Sequence, residues 1–170
     1  MRGEFAMRWI WLGTLGLAGM TAACANVSPV TPTPITTASP APTPGYDWFL
    51  SQDSGIARLA YGVEASDDLK LGLDCSAGTG KVDLVALGKS GMSEIYLESG
   101  GETERFPAEG EPSQLHDGDL LTATVEADTP VLQRFRRLGW IAQWVDGERA
   151  VYVPQPGSAT QVERFFGLCG

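Results

Sequence analysis

The sequence is poor in the residues that metal and redox chemistry draw on. Its 170 residues include one histidine, His116, and three cysteines, Cys24, Cys75 and Cys169. No Cys-x-x-Cys and no Cys-His spacing marks a zinc or thiol-redox site, so neither a metal nor another cofactor is expected. Basic residues are scarce as well, 12 Lys and Arg against 21 Asp and Glu, for a net charge of -9. Nucleic acid needs a basic surface to neutralise its phosphates, and this balance argues against that partner. No apolar run is long enough to span a bilayer comfortably as a permanent helix. What is present, 43% hydrophobic and 9% aromatic residues, suffices for one modest core and excludes a fully disordered or collagen-like chain.

The N-terminus reads as an export signal. Arg2 and Arg8 precede the apolar run Trp9 to Met20, and the small residues Thr21-Ala22-Ala23 lead to Cys24. A positive start, a short apolar core and a small-residue exit make residues 1–23 a signal peptide. Either Met1 or Met7 could be the start. Thr21-Ala22-Ala23-Cys24 followed by a proline-rich spacer resembles the processing site of bacterial lipoproteins, although that family prefers Leu where Thr21 stands. The resemblance covers residues 1–24 and implies that Cys24 is the lipid attachment site, carrying a diacylglycerol and an amide-linked acyl chain such as palmitate. Ala25 stands where Asp would retain such a protein in the inner membrane, which implies the outer membrane, facing the periplasm. The alternative is ordinary cleavage after Ala25, which releases a soluble periplasmic or secreted protein.

Residues 24–45 form the anchor cysteine and a tether. Ala25 to Gly45 holds six of the eleven prolines and neither a charge nor an aromatic residue. Such a stretch buries no core and stays near polyproline II, reaching on the order of 65 Å at about 3.1 Å per residue. With Cys24 lipidated or removed, Cys75 and Cys169 remain as a pair, and in an exported protein they read as one structural disulfide.

Residues 46–170 form the globular domain, with 20 acidic and 10 basic side chains and a net charge of -10 once Glu4, Arg2 and Arg8 are set aside. Leu69 to Cys75 alternates without a break, placing Leu69, Leu71, Leu73 and Cys75 on one face of a strand. Further strands are expected at Ala57 to Tyr61, Lys81 to Leu87, Glu94 to Glu98, Glu102 to Phe106, Leu120 to Val125, Trp140 to Val145 and Arg149 to Val153. Asp146-Gly147 predicts a tight hairpin between the last two. Strands at this spacing predict a mainly β fold, an antiparallel sandwich or small barrel, with two short helices. The first begins at Asp128-Thr129-Pro130, buries Val131, Leu132, Phe135 and Leu138, and ends at Gly139. The second, near the C-terminus, has a Thr160-x-x-Glu163 capping box and a stop at Gly167. The expected core is Leu71, Leu73, Val82, Leu84, Ile95, Leu97, Leu121, Val125, Phe135, Trp140, Trp144, Val151, Val153 and Phe165.

Few residues are arranged for chemistry. Gly78-Thr79-Gly80-Lys81 lacks the upstream Gly and the Ser/Thr of a phosphate loop, and Gly88-Lys89-Ser90-Gly91-Met92 lacks the final Gly of a nucleophile elbow. His116-Asp117-Gly118-Asp119 reads as a solvated polar turn rather than as a base or a ligand, and Asp67-Asp68 as solvated surface rather than as a calcium site. Arg134, Arg136 and Arg137 form a candidate patch for an anionic ligand, against the simpler account that cations offset a helix dipole near its C-terminus. Trp140 and Trp144, with Ala142, share a strand face. Exposed they would stack on a sugar ring, and inward they would be core, which is the expectation.

The leading expectation is a non-catalytic cell-envelope lipoprotein whose β-rich domain binds an envelope protein or glycan, or supports assembly. A second follows from Ser99-Gly100-Gly101 after the strand Ile95 to Leu97, which with the early and terminal cysteines loosely resembles the small β-barrel lipoproteins that inhibit animal lysozymes. In that family a Ser-Gly loop enters the lysozyme cleft. The resemblance implies an inhibitor loop at Ser99, Gly100 and Gly101 and a basic partner such as lysozyme, attracted by the acidic domain. No Tyr follows the Ser-Gly here, and the cysteine spacing is long. A third class, an envelope hydrolase, requires His116 or a carboxylate pair to converge with Ser90 or Ser99.

Overall fold

A computed structural model describes residues 39–170; the signal region, Cys24 and most of the tether lie outside the described residues. Residues 39–170 fold as two antiparallel sheets and two helices. The large sheet contains β1 (Tyr46–Asp53), β2 (Ile56–Val63), β3 (Leu69–Ser76), β4 (Lys81–Gly88), β7 (Glu109–Pro112) and β8 (Asp119–Glu126), in the order β1-β2-β3-β4-β8-β7. The small sheet contains β5 (Glu94–Ser99), β6 (Glu102–Pro107), β9 (Ile141–Val145) and β10 (Glu148–Tyr152), in the order β10-β9-β5-β6. Helix α1 (Pro130–Leu138) packs on β5 and β6, and α2 (Ala159–Cys169) on β1 and β2. This is the sandwich-like, mainly β architecture that the alternating sequence predicts.

The core forms where the alternation of each strand points inward. Leu59, Leu71, Leu73, Val82, Leu84 and Leu121 of the large sheet meet Ile95, Leu97, Ile141 and Tyr152 of the small one. Phe135 of α1 and Phe165 and Phe166 of α2 close the cluster. Trp48 of β1 lies at its aromatic centre, with ring centroids 5.2 Å from Tyr61 and 5.0 Å from Phe135. Each such side chain contributes roughly 1.5–3 kcal/mol through burial.

Four expected core residues are half-buried instead: Val125, Trp144, Val151 and Val153. In β9 the inward phase belongs to Ile141 and Gln143, so Trp140, Ala142 and Trp144 lie outside the core cluster. Trp140 is still buried, but under the Arg149 guanidinium, 5.4 Å from the ring centroid. Val151 pairs with Ala142 and shares its outward phase, Val153 follows the end of β10, and Val125 lies one residue from the end of β8. In β3, Leu71, Leu73 and Cys75 face the core as expected. Leu69 does not, because a register shift at Tyr61/Gly62 takes it out of phase.

The helix termini follow local chemistry. Thr129 precedes α1 with Pro130 in its first turn, and Gly139 ends it in the left-handed conformation, φ 75°, donating to the Phe135 carbonyl. Leu138, expected on the buried stripe, is 43% exposed because it ends the helix beside the β5–β6 turn. The expected capping box of α2 does not form. The helix starts one residue before Thr160, Ser158 precedes it and donates to the Asp47 carboxylate at 2.6 Å, and Glu163 turns to Arg136. Nor does Gly167 stop α2, which runs on to Cys169. Its last carbonyls are held by the β3–β4 turn: Gly78 N–H donates to Leu168 at 2.9 Å and Gly80 N–H to Cys169 at 2.8 Å. There Cys169 meets Cys75 in a disulfide, with Cα atoms 5.8 Å apart.

Candidate functional site

The outward phase of β5 carries Glu94, Tyr96 and Glu98, since Ile95, Leu97 and Ser99 point inward. Strand pairing sets Tyr96 opposite Arg105 of β6 on one side and opposite Trp144 of β9 on the other, and Trp144 opposite Arg149 of β10. The outer face of the small sheet therefore bears one continuous row, Arg105, Tyr96, Trp144, Arg149. Directly opposed pairs of this kind pack side by side on a sheet face.

Two carboxylates fix the aromatic rings in this row. Glu98, 7% exposed, accepts three hydrogen bonds: from Trp144 Nε1 at 2.7 Å, from Arg149 Nε at 2.8 Å and from the second Arg149 nitrogen at 2.7 Å. The Arg149 guanidinium, ahead of the Trp144 donor, holds the Glu98 carboxyl below its ordinary value against the opposing effect of burial. Glu94 accepts the Tyr96 hydroxyl at 2.5 Å and pairs with Arg105 at 3.2 Å. That bond to Glu94 raises the Tyr96 phenol above its ordinary value. Tyr96 and Trp144 remain half-buried and, with Met92, wall a cleft of about 490 Å³ between the 89–93 loop and the Asp146-Gly147 turn. Lys89 from the loop and Asp146 from the turn form an ion pair at the same cleft. Asp146 and Gly147 have φ 52° and 79°, the positive values that the expected tight hairpin demands.

A second concavity of about 630 Å³ lies on the outer face of the large sheet, lined by Ala60, Gly72, Val85, Leu87 and Leu120, with Leu115 of the β7–β8 loop beside them. Both of its cationic side chains, Arg58 and Lys70, are paired. Arg58 grips Asp74 at 2.8 and 2.6 Å, and Asp68 takes both Lys70 and the Tyr46 hydroxyl. Gly118 brings the loop against β4: a Cβ there would lie 2.1 Å from the Gly88 carbonyl, and its φ is 108°.

The residues singled out in the sequence are scattered. Arg134 bonds the Ser99 carbonyl at 2.8 Å and pairs with Glu102 at 2.9 Å and Glu104 at 2.7 Å. Arg136 pairs with Glu163, and Arg137 is exposed. Two of the three arginines are thus engaged within the domain. Ser99 is 0% exposed and its hydroxyl donates to the Trp140 carbonyl at 2.8 Å, leaving Gly100 and Gly101 as the exposed tip of the β5–β6 hairpin. His116 Nε2 lies 3.2 Å from the Asp67 carbonyl, and no hydrogen bond joins it to Ser90 or Ser99 among the described residues. Among those residues no group of three or more His, Cys, Asp or Glu is placed to hold a metal ion, and no helix is long and apolar enough to cross a membrane.

Sequence reasoning missed Glu94, Tyr96, Glu98 and Arg149 as a unit. The alternation of β5 already placed the first three together, but the cross-strand register that joins them to Trp144 is tertiary information. No family model matches the chain, and neither a curated protein nor a solved structure matches it.

Proposed function

We propose that this chain is an exported cell-envelope lipoprotein, anchored through Cys24, whose β-sandwich is a non-catalytic binding module. The observation that carries the binding reading is the pair of half-exposed rings at Tyr96 and Trp144, each held in place by a carboxylate that an arginine holds in turn. Rings that serve only stability gain most by entering the core, as Trp48 does. Fixed rings at a cleft lose little conformational freedom when a ligand arrives. The leader, the Cys24 motif and the proline tether support the envelope address, and the Cys75–Cys169 bridge fits an oxidising compartment.

The inhibitor-like reading draws less support, because a buried Ser99 hydroxyl is not presented to a cleft. The hydrolase reading would need His116 or a carboxylate pair beside Ser90 or Ser99, and His116 is turned to Asp67.

Labelling with radioactive palmitate, followed by membrane fractionation, tests the anchor. The full chain should take up label and sediment with membranes, whereas Cys24→Ser should be unlabelled and soluble. An unlabelled, soluble wild-type chain would overturn the anchor. The binding module is tested by passing envelope extract over the immobilised chain, where retention of no envelope component would overturn it.

A further inference from the structure

We propose that the cleft beside Tyr96 and Trp144 is a subsite for neutral pyranose rings of an envelope glycan, an inference that rests on the binding-module reading. The two aromatic side chains come from neighbouring strands and are directly opposed in register, so they offer adjoining apolar surfaces to one extended ligand. A pyranose presents weakly positive C–H bonds on its ring face and hydroxyls around its rim. The negative π-face of an aromatic ring complements the first. Carboxylates and cationic side chains serve the second, and Glu94, Lys89 and Asp146 line the same cleft together with Ser93.

Charge pairing selects the class of glycan. Glu94 is matched by Arg105, Glu98 by Arg149 and Lys89 by Asp146, so no uncompensated cation awaits a uronate or phosphate. The net charge of -10 on residues 46–170 further disfavours an anionic polymer. The paired groups keep the capacity to exchange hydrogen bonds with hydroxyls at the rim. At about 490 Å³ the cleft falls within the range of about 300–1,000 Å³ typical of small-ligand sites. Ring orientation is set before any ligand arrives: swinging the Trp144 indole away would break its bond to Glu98, a carboxylate that is itself buried.

Isothermal titration of the full chain in detergent with chitotetraose and cellotetraose, two neutral β-linked tetrasaccharides, tests the proposal, with polygalacturonate as the anionic comparison. Trp144→Ala and Tyr96→Ala should each weaken tetrasaccharide binding by about tenfold or more, and Trp144→Phe by less. Leu115→Ala, in the concavity of the large sheet, should bind as the wild type does. Thermal unfolding of each variant separates lost binding from lost fold, and a ligand-induced change in tryptophan fluorescence that is present in the wild type and lost in Trp144→Ala gives a second reading. Absence of binding to either tetrasaccharide at millimolar concentration would overturn the subsite, as would undiminished binding by a folded Trp144→Ala chain or tighter binding of polygalacturonate. If the wild type ignores both sugars yet retains another envelope component from extract, the subsite falls and the binding module stands. If it retains nothing, both fall.

Discussion

Glu98 shows how one residue links stability to the candidate site. Its carboxylate is nearly enclosed and accepts three hydrogen bonds, two of them from Arg149. Because the folded value lies below the ordinary 4.5, the contribution is complete above about pH 4.5 and is lost as pH falls through the folded value. Glu98→Gln should therefore destabilise the protein by about 1–3 kcal/mol at neutral pH, and the gap to wild type should close in strong acid. Urea unfolding across pH 3 to 7 checks this; a gap that is constant with pH would contradict it. At Phe135, 0% exposed and packed on Trp48, truncation to Ala should cost about 3–5 kcal/mol, read by the same titration at one pH.

Among the elements, the loop between β7 and β8 depends most on one backbone geometry. Gly118→Ala must place a methyl group 2.1 Å from the Gly88 carbonyl at a φ of 108°. A cost of about 1–3 kcal/mol is expected, with faster amide exchange concentrated in residues 113–118. Exchange unchanged in that loop would contradict the account. Strands with strict alternation, β3 and β4 above all, were legible in the sequence, as was α1 from Pro130 to Gly139. Strand β7 was not, because all four residues of Glu109–Pro112 are exposed and Pro112 fits only a sheet edge. Strand β1 was hidden by its irregular burial pattern: only Trp48 is fully buried, and Ser51 to Asp53 extend into solvent. In β9 the sequence offered two phases with apolar residues in both. Gln143 takes the inward one because its amide donates to the Leu87 carbonyl at 2.8 Å and its oxygen accepts the Tyr152 hydroxyl at 3.1 Å. Such satisfaction of a buried polar group is invisible until the neighbouring strands are in place. The same phase choice turned Trp144 outward, so the misread strand and the candidate site have one cause.

For the whole molecule, the Cys75–Cys169 bridge joins the large sheet to the terminal helix across 94 residues of sequence. Replacing both cysteines by Ala should lower stability by about 4–5 kcal/mol through the greater freedom of the unfolded chain, measured by denaturant unfolding. The candidate aromatic row lies on the other sheet, so sugar binding by the fraction that remains folded should persist. The bridge fits the envelope address proposed for this domain, and the outer face of the small sheet is where we propose that it meets its ligand. That central claim is tested most directly by comparing the full chain with its folded Trp144→Ala variant in titration with chitotetraose. The account predicts binding by the wild type, weakened about tenfold or more by the substitution; equal binding by both chains, or none by either, would contradict it.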